Sequence, residues 1–215
     1  FIGTLGKFKS LTTGAPDLFT EALPNQVLLW KLIYKASEQS GRGKYRIINQ
    51  EIGDCVSHGW ARGIEGAMAV DYLDGRITDW WQVSTESVYA GRIDTGDASW
   101  SDGWYGSAAA KATQKHRGVL FKTKYESGAN AIDLTKYSGQ RAKQAGAGQW
   151  PKWLLAESKK HLVKEVALIT STAEAKAAHA NGYFIPICSN LGFSPTVRNA
   201  DGVVRQAGSW GHCMC

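Results

Sequence analysis

Proline is scarce in this chain of 215 residues, with 5 in all, and methionine is scarcer still, with 2. That shortage, beside 43% hydrophobic and 20% charged residues, excludes a proline-rich or disordered polymer and leaves a globular protein. No run of about 18 apolar residues exists and mean hydropathy is −0.29. No segment is therefore suited to span a membrane, and no membrane partner is expected. Cysteine is limited to Cys55, Cys188, Cys213 and Cys215, too few and too unevenly spaced for a disulfide framework. None of them forms a C-x-x-C pair, so a soft metal site from Cys188, Cys213 and Cys215 lacks the usual ligand spacing; neither a metal nor another cofactor is expected. Internal repeats and low-complexity tracts are absent. The chain opens on Phe1 without the charged and apolar pattern of a leader, which suggests a processed product or a piece of something longer.

What is abundant is glycine, at 24, and tryptophan, at 9. Tight turns and large aromatic anchors in a mixed α/β core follow, in a length that suits one large domain or two small lobes. Net charge is +6 and unevenly spread. Residues 83–110 hold 1 basic and 4 acidic residues, whereas 111–164 hold 12 basic and 3 acidic ones. A local basic face can meet nucleic acid or an acidic protein, or can simply be solvated. No nucleic-acid-binding motif supports the first reading, so nucleic acid is not expected as a partner.

Apolar spacing predicts a helix over Gln26–Glu38, ended by Ser40-Gly41-Arg42-Gly43, after an irregular stretch over 1–24. Tyr45–Ile48 reads as a short extended segment. From Cys55 the pattern is helical again: Val56, Trp60, Ile64 and Ala67 form one stripe, and Asp74-Gly75 stops it. Gly59, Ala61, Gly63 and Gly66 suit a central helix on which other elements pack closely. Further helices are predicted over Ser84–Arg92, from about Ser107 to about Lys115, and from the Trp150-Pro151 turn, with an acidic loop over Asp94–Gly106. Lys164–Ile169 alternates like a strand. Ser171-Thr172-Ala173-Glu174 fits a capping box, and Asn181-Gly182 fits a helix stop. Tyr183–Cys188 and Ser209–Cys215 read as strands, with a turn over Asn199–Gly202 between them. Helices first and strands last is an α+β order.

Cys55 follows a glycine-containing turn and opens a helix, where the first amides favour a thiolate and can hold an oxyanion. The same position also suits a small buried hydrophobe. His58 lies three residues on; it either touches the thiol or packs beneath the cleft. On a strand, His212 and Met214 face one way and Cys213 and Cys215 the other.

Asn49-Gln50-Glu51-Ile52-Gly53-Asp54-Cys55-Val56-Ser57, followed by Trp60-Ala61, resembles the Gln…Gly-Ser-Cys…Trp-Ala segment of papain-like cysteine peptidases, above all their bacterial and phage-borne relatives. Ser209-Trp210-Gly211-His212-Cys213-Met214 is similar to the strand that presents the family's histidine. Val83–Tyr89, Asp102–Ala112, Gly118-Val119 and Ile185-Pro186-Ile187 resemble intervening segments in the right order. The likeness implies a papain-like two-lobe fold: an N-terminal extension over 1–44, a helical lobe over 45–163, and a partial β lobe over 164–215. It implies a thiol hydrolase acting on a peptide or protein through a Cys55 acyl-enzyme. His212 is the base, and Gln50 and the Cys55 amide are the oxyanion donors. Cys55 and His212 are 157 residues apart, near the spacing of about 130–150 for such enzymes. Asp54 occupies the family's Ser position and opposes thiolate formation next door. The alternative is a structural protein that kept the fold without the reaction, such as a phage virion component. The setting is then the virion or the cytoplasm. A strand carrying His212 needs a neighbour on each edge, so further chain past Cys215, or a homo- or hetero-oligomeric partner completing the β lobe, is expected.

Overall fold

The computed structural model describes residues 28–200 and 203–215. The expected irregular stretch over 1–24 lies outside them, as does half of the Asn199–Gly202 turn. Among the described residues seven α-helices accompany two separate two-stranded antiparallel sheets, an α+β protein.

Helix α2 (Cys55–Leu73) is the axis of the fold. Val56, Trp60 and Ile64 are buried as their spacing predicts, but Ala67 is exposed, and Gly66, Ala69 and Val70 are buried instead. The reason is that α2 is covered round most of its circumference, while Ala67 lines a cavity of about 710 Å³ together with Asp71, Trp81, His161, Lys164 and Tyr183. Glycine makes the close approaches possible. A Cβ on Gly66 would lie 2.2 Å from the Phe184 ring, and one on Gly59 would lie 2.8 Å from the Cys213 sulfur. Asp74 caps the helix, and Gly75, at φ 70°, turns the chain away.

Three apolar clusters surround this axis. Helix α1 (Trp30–Gln39) buries Leu32, Ile33 and Ala36 with Tyr45, Ala69, Val70, Trp80 and Phe184. Part of the segment assigned to an N-terminal extension thus packs directly on α2. The first half of α2 packs with Val83, Val88, Tyr89, Trp104, Ala109, Ala112, Val119 and Cys213. These come from α3 (Thr85–Tyr89), α4 (Gly106–Lys111), the π turn Ala112–His116, the chain between and beside them, and, for Cys213, the last strand. Ala90, Leu120, Leu134, Ala145, Trp150 and Leu154 form the third cluster. Each such large apolar side chain contributes about 1.5–3 kcal/mol on burial.

Between residues 117 and 164 the structure departs most from expectation. A hairpin, β1 (Lys124–Ser127) with β2 (Asn130–Asp133), turns at Gly128 with φ 60°. Helix α5 (Gly139–Gly146), capped by the Ser138 hydroxyl, has no long apolar stripe to announce it. The Trp150-Pro151 segment forms a turn first, and α6 starts only at Leu154 (Leu154–Ser158). Lys164–Ile169 is not a strand. Its alternation reflects Val166 packing on the first-half cluster of α2, with Leu168 left exposed and no ladder partner nearby. Tyr45–Ile48 likewise forms no strand.

Helix α7 (Thr172–Ala180) begins as the capping box predicts: Ser171 Oγ accepts from the Glu174 N–H at 3.1 Å. The Glu174 carboxylate, however, accepts from the Thr170 N–H at 2.7 Å, one residue before the box position. Gly182, at φ 81°, ends the helix. The strand expected over Tyr183–Cys188 starts only at Ile187, because Phe184 is drawn into the Gly66 notch. Strand β3 (Ile187–Arg198) pairs antiparallel with β4 (Val204–Met214), and β4 pairs with β3 alone among the described residues. Ile187, Cys188 and Ser189 face Met214, Cys213 and His212; irregularities follow further out. No helix of the described residues is long and apolar enough to cross a membrane.

Candidate functional site

Four pieces of chain meet at the start of α2. The first is the loop that leads into it. Asp102 Oδ2 accepts from the Gly53 N–H at 2.9 Å, and the Gly103 N–H donates to the Gly53 carbonyl at 2.8 Å. The acidic loop is thereby fastened onto the approach to Cys55. Lys143 of α5 donates to Asp102 in turn, and this bond, with the Gly53 N–H, holds the Asp102 carboxyl below the usual range. From the same side the Gly139 N–H donates to Glu51 Oε2 at 2.7 Å.

Gln50 is exposed on that loop, and its side-chain N–H donates to the Ile52 carbonyl at 2.5 Å. The amide folds back on its own loop in this structure. Cys55, 9% exposed, lies under the loop as the first residue of α2.

The ribbon supplies the other wall. Cys213 is buried against Gly59 and shares one buried cluster with Cys55. The strand that carries His212 therefore lies on the helix that Cys55 opens, but it presents Cys213 to that helix, and strand alternation turns His212 to the ribbon's other face. His212 itself is half-buried opposite Ser189, and no hydrogen bond or ion pair among the described residues holds its ring.

The electrostatics of Cys55 differ from a simple helix-start picture. Burial pushes its thiol up from the ordinary value. The N–H groups of Cys213 and Val56 act in the opposite direction, as a helix N-terminus should, but do not outweigh it. Cys188 and Asp54 add to the upward push. The resting thiol is protonated near neutral pH.

Beside Cys55 is a polar cluster that sequence reasoning did not assemble. Asp54 is fully buried, and its Oδ1 lies 3.4 Å from His58 Nε2. The Tyr137 hydroxyl donates to Asp54 Oδ2 at 3.1 Å, and the Tyr137 ring meets His58 edge-on at 5.1 Å. Burial and the Asp54 charge push the Tyr137 phenol far up, so it serves as a donor only. His58 thus packs beneath the cleft. The i,i+4 spacing of Asp54 and His58 was visible in the sequence; the arrival of Tyr137 from 83 residues away was not.

The 710 Å³ cavity is a different place, since neither Cys55, Gln50 nor His212 lines it. Part of the basic segment is engaged with acidic groups: Arg117 with Asp94 at 2.6 Å, Arg141 with Glu86 at 2.7 Å, and Lys143 with Asp102. Among the described residues no three acidic, histidine or cysteine side chains gather in a way that could hold a metal ion. No protein-family model matches the chain, and no curated protein or solved structure does so.

Proposed function

We propose that the chain is a papain-like, two-lobed thiol hydrolase that cleaves a peptide or protein through an acyl-enzyme on Cys55. The observation that carries this reading is the packing of Cys213 into one buried cluster with Cys55, its sulfur against Gly59 of the same helix. It brings the residue next to His212 onto the one thiol that opens a long helix. Burial keeps that thiol protonated, and Cys213 rather than His212 faces it at rest. Attack therefore requires the strand to turn the imidazole toward the sulfur, where it acts as a general base rather than through a resting ion pair. The sulfur bonds to the substrate carbonyl carbon while its proton passes to the imidazole. The Cys55 amide and the Gln50 side chain, once released from Ile52, donate to the oxyanion. The imidazolium then protonates the leaving amine, and water hydrolyses the thioester.

A second reading has its own support: the burial of Cys55 beside a fully buried carboxylate suits a structural protein, such as a virion component, that kept the fold and not the reaction. Fluorescein-labelled casein separates the two. Hydrolysis by the wild type should fall by about 10²–10⁴-fold in His212→Ala and vanish in Cys55→Ser. Wild-type protein that is folded yet releases no fluorescence overturns the hydrolase and leaves the structural reading in place.

A further inference from the structure

Cys188 and Cys213 belong neither to the base nor to the nucleophile, yet they are opposite one another in the β3–β4 ladder. Directly opposed residues of an antiparallel pair have Cα atoms about 4.5–5.5 Å apart, inside the span of about 4.4–6.8 Å that a disulfide bridges. Both side chains of such a pair rise from the same face of the ribbon. Here that face is turned to the helices. The Cys213 sulfur sits in the notch left by Gly59, and the Cys188 sulfur sits over Gly106, where a Cβ would come within 2.7 Å of it. Each sulfur is thus placed on the same side of the ribbon, facing a glycine of the helical body.

We propose that Cys188 and Cys213 are a peroxide-sensitive dithiol, with Cys188 oxidised first and Cys213 closing the disulfide. Cys188 is exposed, whereas Cys213 is buried behind it. The Cys213 S–H donated to Cys188, together with the Gly106 N–H, pulls the Cys188 thiol down, and the same bond pushes Cys213 up. The Cys188 sulfur attacks hydrogen peroxide, takes one oxygen as sulfenic acid, and the departing hydroxide leaves as water with the thiol proton. The Cys213 sulfur then attacks the Cys188 sulfur, the S–O bond breaks, and the second hydroxide leaves as water with the Cys213 proton. Two thiols lose two electrons to one peroxide, giving one disulfide and two waters. The reading goes beyond the proposed hydrolase and holds whether or not Cys55 is catalytic.

Hydrogen peroxide at low molar excess on the intact chain is the test. The 4 free thiols should fall to two, and the intact mass should fall by two hydrogens. Trypsin, cutting after Lys176, Arg198 and Arg205, puts Cys188 and Cys213 on separate peptides, which should appear joined until dithiothreitol is added. The bridge should survive Cys55→Ser and Cys215→Ser and be lost in Cys188→Ser, where circular dichroism verifies folding. A bridge to Cys55 or Cys215, a bridge between two chains, or Cys188 carried on to sulfinic acid with Cys213 still free would each overturn the proposal. So would four unreacted thiols.

Discussion

The helical body and the β3–β4 ribbon are built on opposite terms. The body has an enclosed core, in which Trp80, Tyr89, Leu120, Leu134 and Leu154 are almost wholly hidden, although Trp30, Trp100 and Tyr105 are exposed on its surface. Its buried charges are answered as well. Glu86 accepts from the Ser84 hydroxyl, the Ser138 N–H and the Arg141 guanidinium. Along the ribbon Ile187, Leu191, Trp210 and Met214 are exposed, while Cys213 is buried. The body is held by many overlapping contacts and the ribbon by a short seam against Gly59 and Gly106. Both halves of the proposed chemistry meet at that seam, so stability and activity are governed by different parts of the molecule.

The strongest blow to the body is Glu86→Ala. It leaves the Ser138 N–H without its acceptor and Arg141 with the Lys136 carbonyl alone. The cost should be about 3 kcal/mol, the low end for breaking a buried pair, since Arg141 also keeps some solvent contact. Urea denaturation checks it, and an unchanged midpoint would mean that Arg141 finds another acceptor.

Gly59→Ala attacks the seam instead. The new methyl would lie 2.8 Å from the Cys213 sulfur and 3.2 Å from the Met214 nitrogen. Overpacking of this kind costs about 1–3 kcal/mol, while alanine itself favours the helix by about 1 kcal/mol. The two terms fall on different regions. The body should keep its thermal midpoint, and tryptic cleavage at Arg198 and Arg205 should accelerate by about tenfold. Equal loss in both regions would erase the distinction drawn here.

The mildest lever is pH. Glu65, fully buried in α2, accepts from the Tyr45 hydroxyl and the Val83 N–H, but burial outweighs these donors and lifts its pKa to about 7. A carboxyl raised above its unfolded value binds its proton more tightly in the folded state. Its contribution is therefore complete below the unfolded pKa of 4.5 and declines as pH rises through about 7. The thermal midpoint of the body should drift downward over that window, and Glu65→Gln should flatten the drift. A slope that survives the substitution assigns the effect to another group.

How much of this could be read from residues alone depends on the range of the interaction. Helix α2 was legible because its start, its small residues and its Asp74-Gly75 stop are all local. The Ser171 cap of α7 was legible for the same reason. Lys164–Ile169 misled because its apolar residues suggest a strand, whereas Val166 packs on the helical cluster and Leu168 is exposed. The thiol Cys55 was identifiable from its place before a helical stripe, but its raised pKa comes from burial by the ribbon and the acidic loop, which are distant in sequence. The opposition of Cys188 and Cys213 depends on a ladder with several irregularities, and no spacing rule yields such a register.

Mechanically, the ribbon is a cantilever. It is clamped where Cys188 and Cys213 meet the helices and extends for the 11 residues of β4, about 35 Å at the usual rise of a strand. A beam fixed at one end moves least at the clamp and most at the tip. His212 lies one residue from the clamp, while Arg198 and Val204 lie at the far end of the lever. Thermal bending therefore leaves the histidine nearly still. Any load applied near the tip is delivered, with a long moment arm, to the short seam beside Cys55.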